Sequence, residues 1–221
     1  MVKIEVFKMT YTDLNLNKKD TPKIRGFFGN KFKDVDYMHN HNEDNKLFYR
    51  YPLVQYKVID NKPIVIGINE GAEALKSNNI FLEDELLIGD TVVSSSQQSI
   101  FNEYLSLGET DKLHTYDFVS PWIALNQKNI SKYIKSDEID KEELLKSILI
   151  GNIISMCKGL GYTVNDRIRI KLNLDETTVS LKGTKMLAFN GSFTVNFDIP
   201  DYFALGKSIS RGFGTIKKVG W

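Results

Sequence analysis

The chain has 221 residues and a mass of 25.3 kDa, enough for one large domain or two of about 100 residues each, so a core forms without disulfides or metals. Lys plus Arg number 29 against 28 Asp plus Glu, a formal net charge of +1, which excludes a protein that is basic throughout and leaves only a local patch for any nucleic-acid role. The single Cys157 excludes an internal disulfide and a cysteine-built zinc module. With no 18-residue apolar run and no leader ahead of Val2-Lys3-Ile4-Glu5, the expectation is a soluble cytoplasmic chain with no membrane partner.

Residues 2–7 alternate Val, Lys, Ile, Glu, Val, Phe, the period of a half-buried strand. Thr21-Pro22 reads as a cap followed by proline in the first turn, with Ile24, Phe27, Phe28 and Phe32 at helical spacing behind it. Phe48 to Ile59 and Ile64 to Ile68 are rich in aromatic and β-branched residues and flank Asp60-Asn61-Lys62, which predicts a hairpin. Glu70 to Ser77 predicts a short helix, and Glu85 to Ser94 returns to strand character. The first half therefore reads β-α-β-β-α-β, the order of a split βαβ, ferredoxin-like unit.

The polar stretch Gly108 to Lys112 is the expected boundary, dividing the chain into domains 1–110 and 111–221. Beyond it Tyr116 to Trp122 predicts a strand. Asp140 and Glu143 resemble a capping box ahead of Leu144, Leu145, Ile148, Leu149, Ile153 and Ile154, and Gly159 and Gly161 sit where that helix must stop. Ile168, Ile170, Leu172 and Leu174 alternate with Arg167, Arg169, Lys171 and Asn173, giving a strand with one apolar and one basic face. Asn190-Gly191 predicts a hairpin turn, followed by the alternation of Phe193, Val195, Phe197 and Ile199. The second half is thus a further unit of helix on antiparallel sheet.

Two groups of residues carry chemistry. Gly206-Lys207-Ser208-Ile209-Ser210-Arg211-Gly212-Phe213-Gly214 combines glycines, hydroxyls and cations. A P-loop would need a glycine five residues ahead of Gly206, where Asp201 stands, so a backbone-contacting loop for a sugar-phosphate chain is the better reading, set against a glycine turn with a purely structural purpose. In Met38-His39-Asn40-His41-Asn42, an extended chain would put His39 and His41 on one face with Cα atoms about 6.6 Å apart. Histidine titrates nearest neutrality, so such a pair can serve as general base and general acid on a ribose 2′-hydroxyl and a leaving 5′-oxygen. Lys31, Lys33 or Lys46 would stabilise the phosphorane and Tyr49 would orient the substrate. A metal site built from His39, His41 and Glu43 or Asp44, with His114 reaching it only through the fold, and a plain polar loop stand as alternatives.

Taken together these residues resemble the CRISPR-associated endoribonucleases that cut repeat transcripts into guide RNAs, of the RAMP superfamily. Gly206, five residues, then Gly212-Phe213-Gly214 match that family's glycine-rich loop, although an upstream glycine often found there is Ala204 here. Lys23-Ile24-Arg25-Gly26-Phe27-Phe28-Gly29, His39-Asn40-His41 and Tyr49-Arg50-Tyr51-Pro52-Leu53-Val54-Gln55-Tyr56-Lys57 are similar to the branch with paired histidines. The resemblance implies an α+β fold of two tandem ferredoxin-like (RRM-like, βαββαβ) domains and cleavage without metal or cofactor, leaving 2′,3′-cyclic phosphate and 5′-hydroxyl ends. It implies His39 and His41 as the acid-base pair, with Lys31 and Tyr49 in support. Gly206, Lys207, Ser208, Arg211, Gly212 and Gly214 match the RNA-contacting loop, to which the basic strand face adds Arg167, Arg169 and Lys171. The partners so implied are repeat RNA and the guide product, with subunits of a CRISPR effector complex and a homodimer as further ones. A non-catalytic repeat-RNA-binding subunit is the alternative.

Overall fold

The computed structural model describes residues 1–39 and 51–220, with the backbone alone at His39. The elements run β1 (Val2–Tyr11), α1 (Thr21–Lys31), α2 (Asp36–His39), β2 (Val54–Ile59), β3 (Lys62–Ile68), α3 (Glu70–Ser77), β4 (Glu85–Ile88), β5 (Thr91–Ser94) and β6 (Gln98–Phe118). They continue with α4 (Gln127–Lys135), α5 (Glu138–Gly159), β7 (Ile170–Leu181), β8 (Thr184–Asp198) and β9 (Ile216–Lys218). The chain forms two compact units. One comprises Lys3–Leu105 with Ser210–Gly212, the other Met1–Val2, Ser106–Ile209 and Phe213–Trp221.

In the first unit the sheet order is β2-β3-β1-β6. Helix α1 begins where the sequence places it, but its cap lies further back. A 3₁₀ turn at Lys18–Asp20 precedes it, closed by a capping box between Asn17 and Asp20, and Thr21 already lies inside the helix. The apolar face of α1 delivers Ile24 and Phe28 into a core of Phe7, Met9, Tyr11, Tyr56, Val65 and Leu75. There Phe28 stacks on Tyr56 with ring centroids 5.6 Å apart. Asp60 and Asn61 both take positive φ, and Ile59 faces Lys62, so β2 and β3 are joined by a two-residue turn of the type that matches strand twist. The segment Glu85 to Ser94 is not the fourth strand of the main sheet. It is a separate two-stranded hairpin, β4 with β5, folded at Gly89 and Asp90, and the first part of β6 fills the fourth position. Its apolar content reflects Leu86 and Ile88 plugging the core beside α1 rather than pairing in the sheet.

In the second unit the order is β9-β6-β8-β7. Each unit, counted by its own strands, therefore has the sequence 4-1-3-2. Residues Gly108 to Lys112, the polar stretch expected to form the boundary, run inside β6, where the register against β8 shifts between Glu109 and His114. Helix α5 starts at Glu138, capped by Asp137 whose carboxylate accepts from Asp140 N–H at 2.9 Å, one turn earlier than Asp140 suggests. It buries Leu145, Leu149, Ile153, Met156 and Cys157 at helical spacing and packs on β7, each large apolar side chain contributing about 2 kcal/mol. Helix α4, capped by Asn126, has no counterpart in the sequence reading.

Asn190-Gly191 is not a turn. Both lie within β8, opposite Asp175 and Leu174, and the hairpin folds at Lys182-Gly183, where both residues take positive φ. Gly191 is needed for a different reason: an added Cβ would lie 2.2 Å from the Asn173 carbonyl oxygen. The second helix of the ferredoxin pattern has no equivalent here. Between β8 and β9 runs the glycine-rich stretch, with a single 3₁₀ turn at Ile209–Arg211. Among the described residues no helix is long and apolar enough to cross a membrane.

Candidate functional site

Of the expected acid-base group, His41 and Tyr49 lie outside the described residues, as do Lys46, Glu43 and Asp44. His39 is the last residue of α2. The chain reaches it through Met38, which is buried and accepts a hydrogen bond from the Tyr56 hydroxyl at 3.3 Å, while Met38 N–H donates to Val35 O at 2.9 Å. The backbone at His39 belongs to helix α2.

Lys31 ends α1. Its ammonium pairs with the Glu83 carboxylate and sits 5.7 Å from the centre of the Phe27 ring. The lysine lies 52 residues from its acidic partner in sequence, so no local signal gives Glu83 this role. Arg25, six residues earlier on α1, is a further cation the motif reading left without a function. Burial lowers its pKa, and the positive charge of Arg211 adds to that effect, so two guanidinium groups stand close enough to repel one another. Arg211 belongs to the glycine-rich stretch. Gly212 beside it has φ +86°, and an added Cβ would lie 3.0 Å from the Thr21 methyl.

The rest of that stretch is built into the second unit. Gly206 has φ +93° and presses on Trp122, whose indole nitrogen would lie 2.6 Å from an added Cβ and donates to Asn152 at 3.1 Å. Lys207 N–H donates to Ile123 O at 3.1 Å, and burial lowers the pKa of its ammonium. Ser208 takes a positive φ of 56°. Gly214 N–H donates to Pro121 O and its carbonyl accepts from Leu205 N–H, both at 2.9 Å. The glycines are thus fixed by close approaches within the fold, while Lys207, Ser208 and Arg211 are half-buried with part of each surface open.

Arg167, Arg169 and Lys171 are all exposed, as the alternation predicts, and Ile168 between them is buried. Arg167 and Arg169 precede β7 rather than belonging to it. The Asn196 side chain extends the ladder to them, accepting from Arg169 N–H at 2.7 Å and donating to Arg167 O at 3.1 Å. The third histidine, His114, is on β6 in the second unit, 6.5 Å from the Tyr116 ring. Its pKa is lowered by burial and then by the Lys218 charge.

Two units of identical strand order, the second with its return helix replaced by a glycine-rich loop, define a tandem ferredoxin-like protein. The chain belongs to the Cas6b family: the Cas6b N-terminal domain matches residues 2–105 and the Cas6b C-terminal domain residues 108–219. A crystal structure of Cas6b is similar at 43% identity and a TM-score of 0.95, covering 99% of this chain and 100% of that one. A crystal structure described as the CRISPR RNA processing endoribonuclease Cas6b is similar at 40% identity and a TM-score of 0.81, again over 99% and 100%. An uncharacterized protein of Methanocaldococcus jannaschii is 43% identical over 129 residues, 58% of this chain and 86% of that protein.

Proposed function

We propose that this chain is an endoribonuclease that cleaves CRISPR precursor RNA within its repeats to release guide RNAs. The observation that carries the reading is the likeness over nearly the whole chain, at 40% identity, to a CRISPR RNA processing endoribonuclease. In this reading the reaction needs no metal. One neutral histidine of the pair His39 and His41 takes the proton of the 2′-hydroxyl, whose oxygen attacks the neighbouring phosphorus. The other, protonated, gives its proton to the departing 5′-oxygen, so the products carry a 2′,3′-cyclic phosphate and a 5′-hydroxyl. Lys31 shifts from Glu83 toward the phosphorane and Tyr49 orients the substrate. The half of the chain over residues 1–110 carries this pair. The half over residues 111–221 carries the loop Gly206, Lys207, Ser208, Arg211, Gly212 and Gly214, which with Arg167, Arg169 and Lys171 holds the RNA backbone. Arg25 joins Arg211 on one phosphate. The enzyme acts in the cytoplasm, and its product passes to subunits of a CRISPR effector complex.

The test is incubation of the purified protein with its own repeat RNA in excess EDTA, beside an RNA with a single 2′-deoxy substitution at the scissile nucleotide, with the ends mapped. The expected result is cleavage of the first RNA alone, leaving a cyclic phosphate, and loss of most of that cleavage in His39→Ala and His41→Ala with affinity retained. Tight binding without a cut makes the chain an RNA-binding subunit. Full activity in the double variant overturns the role of the histidines.

A further inference from the structure

The second unit contains a cleft of about 700 Å³ between the outward face of α5 and the segment 161–168. Its apolar walls are Ile150, Ile154 and Val164, and Lys158 and Arg167 supply cations among its lining residues. Ile154 is 46% exposed.

The wall opposite α5 is held in place from behind. The Tyr162 hydroxyl donates to the Glu109 carboxylate, whose Oε1 also accepts from Asn165 N–H at 2.6 Å and Asp166 N–H at 3.2 Å. One side chain thus fixes three points of a segment that has no helix or strand of its own. A wall organised in this manner presents a ready-shaped cleft, and a ligand entering it orders little.

We propose that this cleft receives one unpaired nucleotide of the RNA, its base against Ile150, Ile154 and Val164 and its phosphate on Lys158 and Arg167. The inference rests on RNA binding as read above and not on cleavage. Charge complementarity favours nucleic acid. Lys158 and Arg167 flank the apolar walls, and the cations continue beyond the cleft through Arg169 and Lys171, exposed on one side at two-residue intervals of about 6.6 Å. That interval is of the order separating successive phosphates in an extended single strand. Asp166, the one acid in the lining, offers an acceptor for base-edge amino groups. The outward face of α5 does not suit a partner helix. Between the cleft and the exposed Ile139 it carries Glu142 and Glu143, both paired with Lys146 at 3.0 and 2.8 Å, so no continuous apolar stripe exists.

The experiment measures affinity of the full chain for its repeat RNA, made uncleavable by a 2′-deoxy scissile nucleotide and shortened one nucleotide at a time from each end. The variants are Ile154→Glu, Lys158→Ala and, as a control at an exposed position on the same helix outside the cleft, Ile139→Glu. Wild type and Ile139→Glu are expected to lose roughly tenfold when one particular nucleotide is removed. Ile154→Glu is expected to be weaker by that factor on the full RNA and to lose less than twofold more on the same truncation, with Lys158→Ala showing the same pattern at smaller size. Ile154→Glu and Lys158→Ala that follow the wild-type series at every length overturn the proposal and leave the cleft to a protein partner. Failure of the wild type to bind any repeat RNA overturns the parent reading and this one with it.

Discussion

Gly214→Ala separates the structural work of the glycine-rich stretch from the RNA contact proposed for it. Gly214 has φ +64°, and a Cβ there would lie 1.9 Å from the Leu205 carbonyl oxygen. Placing an L-residue in that backbone region costs about 1–2 kcal/mol. The overlap is with main chain, so Leu205 and residue 214 must also part. That breaks the hydrogen bond from Leu205 N–H to Gly214 O and strains the one from Gly214 N–H to Pro121 O, both 2.9 Å, at about 1 kcal/mol each. The total is about 3–4 kcal/mol, which for a chain of this length lowers the melting temperature by about 10 °C. Lys207→Ala removes an ammonium with no backbone strain, so it should melt with the wild type while RNA affinity falls and its dependence on salt weakens by about one counterion. Thermal melting followed by circular dichroism, run beside RNA titrations at several salt concentrations, reads both effects. A Gly214→Ala protein melting within about 2 °C of wild type would refute the assignment of this glycine to the fold.

Glu109 gives an acid-side prediction. Burial raises its pKa, but the Tyr162 hydroxyl and the N–H groups of Asn165 and Asp166 outweigh burial and hold it down to about 2, against an ordinary 4.5. Its stabilisation is therefore complete above pH 4.5 and is lost as the pH falls toward 2. Glu109→Gln should remove that part of the acid transition, and identical acid unfolding curves would contradict the account. Lys57 gives a slope of the same sign in an alkaline window. Burial lowers its pKa from 10.5 to about 7, and its ammonium donates to Gln55 Oε1 at 2.8 Å. Between those values the unfolded chain holds the extra proton, so stability rises with pH from 7 to 10.5. Lys57→Met should flatten that rise in urea unfolding and should gain most below pH 7. Asn126→Ala removes the acceptor of Lys128 N–H at 2.9 Å and Asn129 N–H at 2.8 Å and should cost about 1 kcal/mol of stability, measured by denaturant titration.

What the sequence disclosed depended on whether the signal was local. Helices α1, α3 and α5 announce themselves through the spacing of their apolar residues, although the caps of α1 and α5 lie ahead of the residues the sequence suggests, and the strand alternation from Phe193 to Ile199 survives intact. Asn190-Gly191 misleads because a glycine required by a close main-chain approach is spelled like a glycine required by a turn, while the true turn at Lys182-Gly183 puts a lysine in a conformation that asparagine usually takes. The hairpin β4–β5 misleads because its inward residues, Leu86 and Ile88, have the composition of a core strand. In the candidate site the glycine loop and the basic run from Arg167 to Lys171 are legible as letters. The partnership of Lys31 with Glu83 and the closeness of Arg25 to Arg211 are not, since each joins residues far apart along the chain.

The interleaving of the two units bears on how the protein is made. Ser210–Gly212 belongs with Lys3–Leu105, and Met1–Val2 with the unit that starts at Ser106. A chain leaving the ribosome usually completes its first domain before the second emerges. Here the first unit receives its last piece only when residue 212 of 221 has been added. That last piece carries Arg211, so a half-synthesised chain lacks the arginine whose charge acts on Arg25, and the first unit stays incomplete until synthesis is nearly finished.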